Sequence, residues 1–341
     1  MSIAVLMLAA STSVVAAAGR GALGGESQRT EVLFLGTAGG PPLRLDRSEP
    51  STLLIVDGRP YLIDCGMGTM RRMLRAGVKS EQVRTIFFTH LHADHDLGLA
   101  DVMANDFFRQ SVTGRAQPVN IYGPPQTKEL VDAAFHFITV GFRPFENLLL
   151  PANGSYRSPF VTHEFDRDGV IFQDDKIRVT AAENSHYALM PPKRRGQFKS
   201  FSYRIETPHG VIVFTGDTGP SQAVERLARG ADVLVAEANN GDPQDVEKVT
   251  ASMAAHSHWS SKRAQAFRAH FEMEHLDTHE IGHLAANARV KAVLLYHYVP
   301  ENKADQADYV RGVRTSFSGP VFAPDDLDRY CLGGGGLSRC P

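Results

Sequence analysis

Cysteine is almost missing from this chain: three residues in 341. None has metal-site spacing, so a thiolate-held metal is excluded. Cys331 and Cys340 bracket a Gly-rich turn near the C-terminus. They fit either a small disulfide loop, which an oxidising compartment would favour, or two free thiols. Cys65 stands alone beside Asp64 in apolar surroundings and reads as a buried structural thiol. An excess of either charge is missing too. Lys and Arg number 36 against 38 Asp and Glu, a net charge of −2, with a pI of about 6.7. No whole-chain basic field exists to gather nucleic acid, which counts against such a substrate without excluding it. Beyond the first residues, no apolar run approaches the roughly 20 residues of a membrane-spanning helix. No internal repeat with a period of about 20 to 50 residues is evident.

What remains is an ordinary globular composition, 43% hydrophobic and 22% charged, long enough for one large or two ordinary domains. The first residues stand apart. Ile3 to Ala18 is apolar or small and ends in Ala16-Ala17-Ala18, with a Gly- and Ser-containing stretch up to Arg29. That pattern resembles a secretory leader, although no Lys or Arg precedes it. The expectation is a leader and linker over 1–29, a catalytic domain over 30–330 and a Cys/Gly-rich tail over 331–341. The protein would then be periplasmic or secreted.

The most informative residues are His90-Leu91-His92-Ala93-Asp94-His95, directly after the strand-like run Thr85-Ile86-Phe87-Phe88. In extended backbone His90 and His92 point to the same side. A tight turn then brings Asp94 and His95 to the same pocket. Divalent metals of borderline softness take imidazole nitrogen and carboxylate oxygen, and three or four such ligands make a site.

With its flanks, THLHADHDLG resembles the signature loop of the metallo-β-lactamase superfamily. Later segments resemble that family's other motifs in order: ENSHYA with His186, VIVFTGDTGPS with Asp217, and AVLLYHYVP with His297. EVLFLGTAGGPP and YLIDCGMGT resemble its opening strands, the second closing on Asp64. IYGPP (Ile121 to Pro125) and EHLD (Glu274 to Asp277) resemble its tRNase Z and arylsulfatase-like branch. The resemblance runs from about Thr30 to about Tyr330.

The resemblance implies an α/β fold, a four-layer αβ/βα sandwich with its metal site at one sheet edge. Strand-like runs alternate with helical patterns in two halves, which agrees with two sheets packed face to face. The resemblance also implies two zinc ions per chain. His90, His92 and His186 would hold one, and Asp94, His95 and His297 the other, with Asp217 bridging. Two ions about 3.5–4 Å apart activate a shared hydroxide and clamp a developing oxyanion. Asp94 and His275 are the candidate catalytic residues. His275 would protonate the leaving oxygen, with Glu274 orienting it. Asp64 would support the ligands from behind. The other histidines between His256 and His283 read as structural or solvated. Lys193, Arg194, Arg195 and Lys199 either receive an anionic group at the rim or form a solvated basic turn.

The favoured expectation at this point is an exported dinuclear zinc hydrolase acting on a small anionic ester: a sulfate ester, phosphodiester or carboxylic ester. The alternatives are a tRNase Z-type endoribonuclease and a metallo-β-lactamase. The absence of a recognisable Gly/Pro-rich basic arm for gripping tRNA counts against the first of these. No membrane span is expected, nucleic acid is the less favoured partner, and a homodimer is left open.

Overall fold

In the computed structural model, residues 28–40, 42–115, 117–145, 158–194, 196–239, 241, 243–299 and 306–341 are described. The leader-like residues, residues 146–157 and Arg195 lie outside them. Two sheets form the frame. The first has eight strands in the order β15-β14-β1-β2-β3-β4-β5-β6. They are β1 Thr30–Gly36, β2 Ser51–Val56, β3 Arg59–Ile63, β4 Thr85–Phe87, β5 Val119–Gly123, β6 Phe160–Glu164, β14 Arg329–Gly333 and β15 Gly336–Arg339. The second has seven, in the order β13-β12-β11-β10-β9-β8-β7. They are β7 Gly169–Gln173, β8 Arg178–Glu183, β9 Phe201–Thr207, β10 Gly210–Phe214, β11 Val233–Glu237, β12 Ala292–Tyr296 and β13 Val321–Phe322.

Alternating side chains serve two different cores. Val32, Phe34, Leu54 and Val56 point between the sheets and meet Val179, Tyr203, Ile205, Ile212 and Phe214. Leu33, Leu35, Leu53 and Ile55 point the other way, under helices α1 Thr69–Arg75, α3 Leu99–Thr113 and α4 Thr127–Phe142. On the far side Val213, Leu234, Val293 and Leu295 lie under α5 Gln222–Ala228, α8 Thr278–Ala288 and α9 Gln306–Val313. This is the expected four-layer sandwich. Because both faces of these strands are covered, they are written as unbroken apolar runs rather than in alternation.

Two features extend the sequence reading. At the C-terminus β14 and β15 form a hairpin, and β14 pairs antiparallel with β1 (Thr30 with Leu332). Cys331 and Cys340 are joined by a disulfide across that hairpin. Helices α6 Pro243–His256 and α7 Ser261–Glu274 form a pair inserted between β11 and His275. They have a small core of their own, in which Val246 and Phe271 meet Val299.

Candidate metal centre

Every candidate ligand leaves the C-terminal end of a strand. The run after β4 carries His90, His92, Asp94 and His95, the last two on the short helix α2 Ala93–Asp96. His186 follows β8, Asp217 follows β10 and His297 follows β12 directly. The two sheets present these ends at one shared edge. A bridge from Ala38 to Tyr298 and a bond from Gly39 N to Tyr298 O (2.7 Å) lock that edge. Gly39 and Gly40 are needed there, since a Cβ on Gly39 would stand 2.6 Å from His297 Nδ1, and one on Gly40 2.3 Å from Asp94 Cβ.

All seven expected residues come together. His90, His92 and His186 form one group, and Asp94, His95, Asp217 and His297 a second, with donor atoms within 4.8 Å of one another in each. Asp217 lies between them. Its Oδ1 is 3.3 Å from His95 Nε2, and its Oδ2 is 3.1 Å from His297 Nε2 and 3.8 Å from His90 Nε2. Six of the seven are buried, and His92 is half-buried.

The electrostatics call for cations. Burial holds His90 and His186 well below the ordinary imidazole range, and His92 at about 4. These rings are neutral and offer lone pairs. Burial also opposes charge on His95 and His297, but the Asp217 and Asp94 carboxylates outweigh it; His297 is raised to about 10. Buried carboxylates on this scale need positive charge beside them, from protons or from metal ions. His90 Nε2, His95 Nε2 and Asp217 Oδ1 are buried without a hydrogen-bond partner, as ligand atoms of one site would be. Imidazole nitrogen and carboxylate oxygen without thiolate is a donor set that fits zinc.

A supporting layer fixes the rings. Asp64 Oδ2 lies 2.9 Å from His95 Nδ1, and Asp64 Oδ1 accepts from Thr89 N at 2.8 Å. Thr89 Oγ1 in turn lies 3.0 Å from His90 Nδ1. His186 Nδ1 donates to Glu274 O at 2.8 Å. Asp64 (φ 56°) and His297 (φ 63°) occupy the left-handed region that non-glycine residues rarely adopt. Such backbone persists where surroundings hold it, typically at functional sites.

His275 is also at the centre, its Nδ1 3.9 Å from Asp217 Oδ2. Its partner is not the expected one. Glu237, at the end of β11, lies 3.3 Å from His275 Nδ1. The Glu274 carboxylate instead binds His270 Nδ1 at 2.7 Å and accepts from Leu189 N at 2.8 Å. His270, expected to be structural or solvated, places Nε2 3.3 Å from His275 Nε2. Glu237 and His270 were missed because neither sits in a recognisable motif. The one sequence signal for Glu237 was a carboxylate ending an otherwise apolar strand. Burial raises Glu237 well above the ordinary carboxyl range and lowers His275 to about 3, so a proton shared by this pair rests toward Glu237.

A buried imidazole and carboxylate cluster at the strand ends of a four-layer sandwich defines the metallo-β-lactamase type of centre. Comparison with known proteins agrees. Residues 59–298 match the beta-lactamase superfamily domain. A ribonuclease Z of Mycobacterium marinum is 29% identical over 302 residues, covering 88% of this chain and 97% of the relative. One from a Mycobacterium species (strain KMS) is 31% identical over 303 residues, covering 88% and 95%. Among solved structures, a metallo-beta-lactamase fold protein, YhfI of Bacillus subtilis, superposes with a TM-score of 0.62 at 17% identity, covering 89% and 99%. Human tRNase Z, short form, does so with 0.58 at 22%, covering 88% and 98%. The chain belongs to the metallo-β-lactamase superfamily of metal-dependent hydrolases, in its tRNase Z branch.

These relatives overturn the expectation of an enzyme acting on a small anionic ester, and with it the low rank given to a nucleic-acid partner. The physical reason is plain. Net charge is a whole-chain average and is silent about local patches, and seven metal ligands are blind to what lies beyond the scissile bond.

Proposed function

We propose that the protein is a zinc-dependent endoribonuclease of the tRNase Z type, which hydrolyses one phosphodiester bond on the 3′ side of a precursor tRNA. The observation that carries this reading is the match, over 95–97% of their length, to curated relatives named ribonuclease Z. His90, His92 and His186 would hold one zinc ion and Asp94, His95 and His297 a second, with Asp217 between them. Such a pair supplies an activated water and neutralises charge on the phosphoryl oxygens.

The chain's own residues do the rest. Asp64 and Thr89 hold His95 and His90 in orientation, and the Glu274 carbonyl holds His186. His275 stands beside Asp217, where a leaving oxygen would develop charge, and Glu237 keeps a proton within reach of its Nδ1. A general acid so placed contributes about 10²–10⁴-fold.

The test is a panel assay of zinc-loaded protein. It uses a precursor tRNA with a 3′ trailer, bis-p-nitrophenyl phosphate, p-nitrophenyl sulfate and nitrocefin. One endonucleolytic cut at the 3′ side of the precursor, faster than any other reaction in the panel, is expected. Turnover of a small ester with the precursor left intact would overturn the reading.

A further inference from the structure

A cavity of about 300 Å³ opens beside the metal centre, lined by Asn184, Ser185, Tyr187, Met190, Phe198 and Ser200 among others. We propose that it receives an unpaired nucleobase, that of a nucleotide next to the scissile phosphodiester. The proposal rests on the ribonuclease reading above and extends it to a substrate subsite. The volume is at the low end of the roughly 300–1,000 Å³ usual for small-molecule pockets, so it suits a single flat ring system rather than a whole cofactor.

Position argues first. Tyr187 directly follows the candidate ligand His186. Its ring centre is 5.1 Å from that of His186, 5.4 Å from that of His92 and 6.2 Å from that of His90. One aromatic ring therefore borders both the metal centre and the cavity. A phosphodiester held at that cluster of ligands would bring a neighbouring base to the cavity mouth.

Chemistry argues second. Tyr187, Phe198 and Met190 offer aromatic and thioether surface, against which any base can stack. The Arg194 guanidinium lies over the Phe198 ring, 4.8 Å from its centre. Lys193 is exposed beside it, and Lys199 pairs with Glu183 at the rim. Positive charge at the mouth suits the phosphates on either side of a stacked base.

The polar side chains of the lining argue for stacking without base discrimination. The Asn184 amide donates to Ser202 Oγ and Thr215 O, and its oxygen accepts from His186 N. The Ser185 hydroxyl is bonded to Thr218 Oγ1 and Pro220 O, and Ser200 donates to Asp217 O. Each is committed to the protein rather than turned toward a base edge.

The experiment uses zinc-loaded protein and short single-stranded oligoribonucleotides carrying 2-aminopurine at successive positions. Binding is read by stopped-flow fluorescence, with precursor tRNA cleavage measured in parallel. Quenching is expected at one position. Phe198→Ala should abolish it and weaken binding about 10-fold, in the range for loss of one stacked base. Phe198→Trp should restore both, which separates stacking from a folding defect. An abasic residue at that position should make wild type and Phe198→Ala bind alike. The same quench and affinity in Phe198→Ala would overturn the proposal, as would an abasic penalty equal in both proteins. Cleavage of the precursor without a Phe198-dependent quench removes the subsite and leaves the ribonuclease reading standing. A Phe198-dependent quench without cleavage of the precursor keeps the subsite and removes the tRNA reading.

Discussion

Glu237 Oε2 and His275 Nδ1 lie 3.3 Å apart, although 38 residues and two helices separate them along the chain. The other oxygen, Oε1, accepts from Thr218 N at 3.1 Å and Leu276 N at 3.0 Å. One buried carboxylate thus joins the end of β11, the loop after Asp217 and the loop carrying His275. Glu237→Gln keeps an acceptor for the two amides and loses only the proton exchange with His275. Turnover should fall about 10–100-fold, the usual cost of losing an outer partner of a site. Metal content and Tm should hold. Glu237→Ala should lower Tm as well, because two buried amides lose their acceptor. Metal analysis, Tm and kcat on each variant check this; full activity in the Gln variant would remove Glu237 from the mechanism.

His275→Ala should slow substrates with poor leaving groups far more than those with good ones. An alkoxide needs a proton to depart, and its ester should lose about 10²-fold or more; a nitrophenolate ester should be nearly insensitive. Metal content should not change, because His275 is outside the seven expected ligands. Equal losses on both substrate types would mean that His275 positions the site instead.

Asp217→Ala should reduce metal content at both positions and abolish hydrolysis, because one carboxylate faces both groups of ligands. His297→Ala should mainly deplete the group of Asp94, His95 and Asp217. Elemental analysis of mildly purified protein reads both outcomes. An Asp217→Ala protein with a full metal complement and full rate would end the bridging assignment.

Much of this centre was legible because its ligands recur in a fixed order after apolar runs. His90 to His95, Asp217 and His297 each follow a strand that the sequence writes mainly in Val, Ile, Leu and Phe, whereas His186 follows Arg178–Glu183 (RVTAAE) and was legible only through its place in the order of motifs. Glu237 follows the same rule, but a single Glu after Val233-Leu234-Val235-Ala236 has no companion to mark it. His270 and Glu274 were illegible for another reason. Their roles depend on how α7 packs over the centre, and local sequence does not encode that packing. The pairing of the C-terminal hairpin was not legible, because Leu332 to Arg339 reads only as a Gly-rich turn and the strand beside it, Thr30 to Leu33, lies far off in the sequence. Pairing partners 300 residues apart leave no local trace.

Cys331 and Cys340 are nine residues apart across that hairpin. Closing so short a loop restricts the unfolded chain by about 2–3 kcal/mol. Cys331→Ser, or reductant added to the wild type, should therefore lower Tm measurably and by the same amount. Differential scanning calorimetry with and without dithiothreitol tests it. An unchanged Tm in both would mean that the hairpin is held by its strand pairing alone.

The place of β1, between β2 and β14, also sets an order of events during synthesis. Its first partner, β2, emerges from the ribosome within some twenty residues, and its second, β14, only some three hundred residues later. Until then the nascent sheet keeps an open edge in Thr30 to Leu33, a template for pairing with another chain. His297 arrives shortly before β14, so the metal centre and the eight-stranded sheet are completed close together during synthesis. A message truncated before Arg329 would yield a chain holding every candidate ligand yet leaving that edge bare. Such a product should be lost to aggregation rather than to inactivity.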